Sequence, residues 1–312
     1  MKNKLMLCAF GFVLVFTVVA ASAADAPKLT FKFAQTNVPG ALETEPSAIN
    51  NAGVIVGQYE DSAFVWHGYI LKGCNRQYGT ECRWRTLDDP NGTGGINTGA
   101  YGIQYNGTAV VGEYLNNSAN AYRGYLYSNG IFTDIVPPGA VSSWAYGIND
   151  NRVIVGGYVD SSGVQHGYFL QGGTYTRLDV PGAAYTSANG INNAGYVVLG
   201  WGNSSGADEG AICQIPCTTY ITTHLNVPGA GSLGSFPNGI NNAGDITFVW
   251  WPGSIHNQHQ SALRTHDGTW SKFENPKVVE SYAEGINDKN TFVGGYVPLG
   301  SNYADGYVAT FY

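Results

Sequence analysis

Charge is scarce in this chain: only 12% of its 312 residues are charged, about half the usual share of a soluble domain. Methionine is scarcer still, with two copies, and no segment sustains the apolar periodicity of an amphipathic helix, so a helical protein is excluded. Beyond the first two dozen residues no apolar run approaches the ~20 residues of a membrane helix. Familiar enzyme signatures are missing: there is no Gly-x-Ser-x-Gly elbow, His-Glu-x-x-His pair, phosphate loop or dinucleotide fingerprint. Lysine and arginine number 15 against 22 acidic residues, a balance unsuited to nucleic acid or anionic lipid. Glycine, by contrast, is abundant at 43 residues, and aromatics reach 13%. A turn-rich chain with that many aromatics is not intrinsically disordered.

The N-terminus reads as an address. Lys2 and Lys4 precede an apolar run from Leu5 to Ala20, and Ala21-Ser22-Ala23 has the small residues of a cleavage site. Residues 1–23 are therefore expected to be a cleaved signal peptide, leaving a single domain over 24–312 that is secreted or periplasmic. That mature chain would carry a net charge of −9, with thirteen basic residues remaining.

Self-similarity decides the architecture. Gly-Ile-Asn or a near copy recurs six times, with its isoleucine at Ile49, Ile103, Ile148, Ile191, Ile240 and Ile286. An aromatic follows each by ten residues, or eleven in the second copy: Tyr59, Tyr114, Tyr158, Trp201, Trp250 and Tyr296. A proline turn precedes each copy, at Pro39, Pro90, Pro138, Pro181, Pro228 and Pro276. Each unit of about 45 residues divides into four short β-rich segments separated by Asn, Asp and Gly turns. Four strands per repeat is the pattern of a β-propeller blade, so the chain is expected to be an all-β six-bladed propeller. The glycine before the isoleucine, present in five of six copies, points to backbone crowding at the axis. The last copy stops one strand short, and the segment Leu29 to Ala34 is a strand without its blade; together the two ends would close the ring.

The phrases Gly-Ile-Asn-Asn-Ala-Gly, Val-Ile-Val-Gly-Gly-Tyr, His-Gly-Tyr and Leu-Asp-Val-Pro-Gly-Ala resemble the HAF family of extracellular repeats found in bacterial exported proteins. The likeness spans nearly all of the mature chain and weakens in the fifth copy, where Phe248-Val249-Trp250 and Gln260-Ser261-Ala262 stand instead. It implies export and a propeller-like array, and brings no activity to carry over.

Four cysteines remain in the mature chain, Cys74 with Cys82 and Cys213 with Cys217, each pair bracketing the turn between third and fourth strands. In an oxidising compartment they are expected to form two local disulfides. A four-thiolate metal site is the rival, but its spacing matches no common zinc pattern. His67 and His166 share one blade position and are expected to be architectural, while His256 and His259 are expected to be exposed loop residues and not metal ligands.

Two groups of residues are candidates for function. Trp144, Tyr146, Tyr185, Phe236 and Tyr282 are assigned to the loops before first strands, where exposed aromatics in ring order would suit the apolar faces of sugars. Glu43, Glu45, Glu280 and Glu284 occupy the same loops in copies one and six, which ring closure would make neighbours. Gathered carboxylates would raise one another's pKa or recruit a cation such as Ca²⁺. No cofactor is implied. The expected role is a monomeric binding module for an extracellular glycan or protein; a polysaccharide hydrolase or lyase and a purely structural surface protein remain open beside it.

Overall fold

The computed structural model describes residues 17–20, 29–73, 83–92, 97–255, 258–274 and 278–312. The repeat is organised around its asparagine turn. In the third copy Asn149 Oδ1 accepts the backbone N–H of Val153 at 3.0 Å, a local bond that competes with strand pairing and reverses the chain. It ends the first strand, Ser142–Ile148, and sets up the second, Ile154–Val159; Gln165–Gln171 and Thr174–Leu178 follow, each antiparallel to the one before. All six copies form the same antiparallel sheet, five of them with this asparagine turn, with first strands at Glu43–Ile49, Thr98–Ile103, Ser142–Ile148, Tyr185–Ile191, Ser235–Ile240 and Val278–Ile286. The result is the expected six-bladed β-propeller.

The ring closes as the sequence predicts. Phe31–Gln35 pairs with Asp305–Phe311 and supplies the fourth strand of blade six. Its rings Phe31 and Phe33 lie 4.7 and 5.9 Å from Phe273 of blade five, so the N-terminal strand also packs across a seam. Residues Thr17–Ala20, inside the expected leader, add a fifth strand to the edge of blade five. The core is not central. Six apolar clusters are distributed one to each seam between neighbouring blades, such as Val155, Phe169 and Leu178 of blade three against Ala188, Leu199 and Trp201 of blade four.

At the axis the first strands crowd together. A Cβ on Gly285 would lie 2.6 Å from the Cα of Ala48 in the next blade, which is why glycine stands there. Below this contact the repeated amides form a closed relay. Asn149, Asn192, Asn241 and Asn287 each donate Nδ2 to a backbone carbonyl of the following blade, at 2.9–3.1 Å; Asn50 and Gln104 complete the circle through Gly107 and Asn149. The extra residue of the second copy is Tyr105, whose hydroxyl crosses the axis to the carbonyls of Ile191 and Ile240. It closes the channel.

A second glycine has a different reason. In the Val-Gly-x-Tyr phrase of blade three a Cβ on Gly156 would fall 2.9 Å from the Tyr168 hydroxyl, which passes there to reach the Trp144 carbonyl at 3.0 Å. His166 is architectural in this structure: Nδ1 lies 2.9 Å from Asp179 and Nε2 3.2 Å from Asp160. His67 is held in the same way by Asp88 and Asp61. In blade four the polarity inverts, and Glu209 accepts from Asn203 and Asn226 and lies against His224. The Cys213–Cys217 disulfide is formed, with Cα atoms 5.2 Å apart; Cys74 and Cys82 lie outside the described residues.

Two predictions follow from closure and from the amide relay. Deleting residues 24–36 exposes an unpaired strand and the Phe273 face, so the truncated chain should lose its cooperative thermal transition and aggregate; an unchanged melting temperature would show that the ring does not depend on this strand. Asn192→Asp keeps the turn acceptor but loses the donor to Asn241, and should cost about 2 kcal/mol by chemical denaturation, whereas a loss near zero would show that the relay is incidental.

Candidate functional site

Every first strand carries a β-bulge immediately before its Gly-Ile or Ala-Ile pair. A bulge inserts an unpaired residue and re-aims its side chain. In blades one to four the skipped residues are Ser47, Tyr101, Tyr146 and Asn189; in blades five and six Asn238 and Glu284 fall within the skipped pair. All six line one funnel of about 690 Å³ on the axis. Tyr105 borders both this funnel and a smaller depression on the opposite face, so it is the floor between them.

The aromatic and acidic candidates stand on these strands, not on loops before them. The assignment to loops fails because the bulge breaks the two-residue alternation that would have extended the strand. Tyr146, Tyr185, Phe236 and Tyr282 line the funnel. Trp144 does not; its ring faces Tyr122 at 6.4 Å, away from the axis. Tyr101, at the same distance from its isoleucine as Tyr146, completes one wall and packs against it at 5.7 Å. On the other side Phe236, Trp251, His259 and Tyr282 form a run of rings, each 5.8–5.9 Å from the next. His259 is thus not an exposed loop residue: its ring is only 20% exposed, and its Nδ1 lies 3.3 Å from Glu280. His256 lies outside the described residues.

Ring closure brings the four glutamates of blades one and six together. Glu45 accepts Tyr282 Oη at 3.0 Å and Gln58 Nε2 at 2.5 Å. Glu284 accepts Asn238 Nδ2 at 3.1 Å. Burial pushes its carboxyl up to about 8, with the charge of Glu45 adding to the shift. Glu43 sits behind the lining and accepts the Ala304 N–H at 3.1 Å. Burial and the charge of Glu45 raise it to about 7, with smaller pushes from Glu60 and Glu280. Among the described residues no group of three His, Cys, Asp or Glu side chains is placed to hold a metal ion. Burial raises Glu43 and Glu284, and donors from Tyr282, Gln58, Asn238 and the Ala304 N–H fix Glu45, Glu284 and Glu43 in place.

One acid escaped the sequence reading. Glu113 lies behind the Tyr101 ring, accepts its hydroxyl at 2.8 Å, and leaves Oε2 buried without a partner. Burial pushes it up to about 8. No repeat signal marks it, because the equivalent positions hold Gln58 and Gly157, neither of them acidic.

No family model matches the chain, and no curated protein is similar to it in sequence. Solved structures are similar in fold. TolB from Acinetobacter baumannii has a TM-score of 0.52 at 14% identity, over 74% of this chain and 54% of that one; the chain thus spans about half the length of that protein. AofleA from Arthrobotrys oligospora gives 0.53 at 13%, over 90% and 86%. The SapL1 lectin in complex with alpha methyl fucoside gives 0.51 at 12%, over 83% and 89%. Trypanosoma rangeli sialidase gives 0.54 at 8%, over 86% and 54%. At these identities the likeness is one of fold. Among the described residues no helix is long and apolar enough to cross a membrane.

The raised carboxyls make stability fall with pH. Unfolding returns Glu284 and Glu43 to ordinary values near 4.5. Above that pH the folded chain holds protons that the unfolded chain has lost, so stability declines as pH rises through about 7 for Glu43 and about 8 for Glu284. Melting temperature should therefore drop between pH 5 and 8 (about one unit of carboxyl titration at each end), and Glu284→Gln should flatten the slope. A wild-type melting temperature that does not fall over this range would mean that neither carboxyl keeps its proton in the folded chain.

Proposed function

We propose that the protein is an exported propeller built of HAF-like repeats that binds glycans, and that its site is the axial funnel. The observation that carries this reading is the composition of the funnel wall. The rings of Tyr101, Tyr146, Phe236 and Trp251 share the wall with the amides of Gln58, Gln165, Asn189 and Asn238. Rings cover the apolar face of a pyranose with little loss of side-chain entropy, and amides donate to and accept from its hydroxyls. The volume of about 690 Å³ suits a short oligosaccharide rather than a protein surface, and the floor at Tyr105 gives the ligand an end to stand on. The fold neighbour named as a lectin and bound to a fucoside supports the same reading, and so do the disulfide and the leader-like N-terminus for export.

The test is a glycan array with the purified mature chain, followed by calorimetry on the best ligand. Tyr146→Ala and Trp251→Ala should each weaken binding by about tenfold, as the loss of one stacked ring predicts, while Trp144→Ala should leave it unchanged. Binding that is indifferent to both funnel rings would place the site elsewhere on the propeller. Reducing-end release measured in the same samples tests for turnover, the catalytic role the sequence leaves open.

A further inference from the structure

Blades one, three and four make the same turn between their second and third strands. Asp61, Asp160 and Asn203 each accept, through Oδ1, the backbone N–H groups two and four residues on, at 2.8–3.1 Å. Each also accepts, through its carbonyl, the N–H three residues on at 3.0 Å. The residue that gives this last N–H has a left-handed backbone: Gly163 at φ +83° and Gly206 at φ +84°. Glycine is at ease there, and a residue with a Cβ is strained. In blade one the same place is held by Phe64, at φ +62°.

Packing does not account for the exchange. The Phe64 side chain is 66% exposed and belongs to none of the six apolar clusters. A bulky residue with positive φ is a backbone outlier, and such strain persists where function selects it. Exposing an apolar side chain does not require it. Val164 and Leu299 are exposed on the corresponding loops of blades three and six, and each stands beside a glycine, Gly163 or Gly300, that takes the left-handed place. Blade one instead fixes a flat ring at the strained position itself.

That position is on the funnel's side of the propeller. The turns after the first strands lie on the opposite face, where Asn51, Asn106 and Asp288 border the smaller depression. The loops between second and third strands are one strand length away. Gln165, Trp251 and His259, which flank this loop in blades three and five, line the funnel. A glycan whose end stands in the funnel leaves it across this rim. Within its own loop Phe64 follows Asp61, Ser62 and Ala63, a polar setting for one ring and not the continuous apolar patch that a protein or lipid partner would cover.

We infer that Phe64 is an outer binding station for the same glycan, stacking on the apolar face of a sugar unit beyond those held in the funnel. This rests on the glycan-binding reading and adds a second site and a length requirement: a ligand must outreach the funnel to gain the contact. Because the ring is strained for the ligand's sake, removing it should stabilise the fold and weaken only the longer ligands.

The test uses the mature chain and its Phe64→Gly, Phe64→Leu and Phe64→Trp variants. The probes are cello-, xylo-, manno- and chito-oligosaccharides of two and six sugar units, and phosphatidylcholine vesicles. In calorimetry the wild type should bind the hexasaccharide of a recognised series about tenfold tighter than its disaccharide, as one stacked ring predicts. Phe64→Gly and Phe64→Leu should abolish that difference without changing disaccharide binding, and Phe64→Trp should retain it. The melting temperature of Phe64→Gly should rise by about 2 °C as the backbone strain is released. A length preference that is absent from the wild type, or that survives in Phe64→Gly, overturns the outer station and leaves the funnel reading standing. A fall in the melting temperature of Phe64→Gly overturns it too, by making the ring a structural residue. Vesicle binding that Phe64→Gly abolishes would assign the ring to a lipid surface instead. Failure of every oligosaccharide overturns both this inference and the glycan reading.

Discussion

A carboxamide can donate and accept at once, and the propeller depends on that. Each asparagine of the repeated motif gives its oxygen to the turn of its own blade and its nitrogen to a backbone carbonyl of the next. Neither half would suffice. The turn bond alone would shape a blade without saying where its neighbour stands, and the carbonyl bond alone would join strands that had no reason to reverse. Aspartate offers no donor and leucine neither function, so this position tolerates few residues. In blade two Gln104 takes the donor half of this role, its Nε2 reaching the Asn149 carbonyl. Each bond is worth about 1 kcal/mol net; their value lies in fixing six seams to one spacing.

With the spacing fixed, the bulges have a defined place to point. The same irregularity in six strands delivers six side chains to one axis, and the chain varies only what those side chains are. Serine, two tyrosines, two asparagines and a glutamate make a chemically uneven wall out of an even scaffold. The unevenness follows chain order. The acids of the wall come from the first and last copies, which meet only because the two termini share a blade, and its aromatics from copies two to six.

The architecture was legible because it is written six times. Spacing, turn residues and the unpaired strands at either end led to the six blades and to their closure. The site was legible in part. Tyr146, Tyr185, Phe236 and Tyr282 stood out as aromatics near the motif, and Glu45, Glu280 and Glu284 as acids in copies destined to be neighbours. Tyr101 was missed although it holds the register of Tyr146, because the bulge disguised that stretch as loop. Trp251 and His259 lie where the fifth copy abandons the repeat, and there a register-based reading has nothing to count. Glu113 could not have been found: it is buried and capped by the Tyr101 hydroxyl, and depth of that kind is a property of the packed ring.

Tyr105 has a consequence for traffic. A propeller with an open axis has two doors, and a polymer could be drawn through it hand over hand. Here one residue beyond the repeat length puts a bolt across the lower door. Whatever occupies the cup above must back out the way it came. An extended chain can offer only its tip, and interior units of the same polymer, however well matched in chemistry, stay outside. On the proposed glycan-binding reading, the number of places where a long polymer is held is then set by how many ends it has, and cutting it creates new ones.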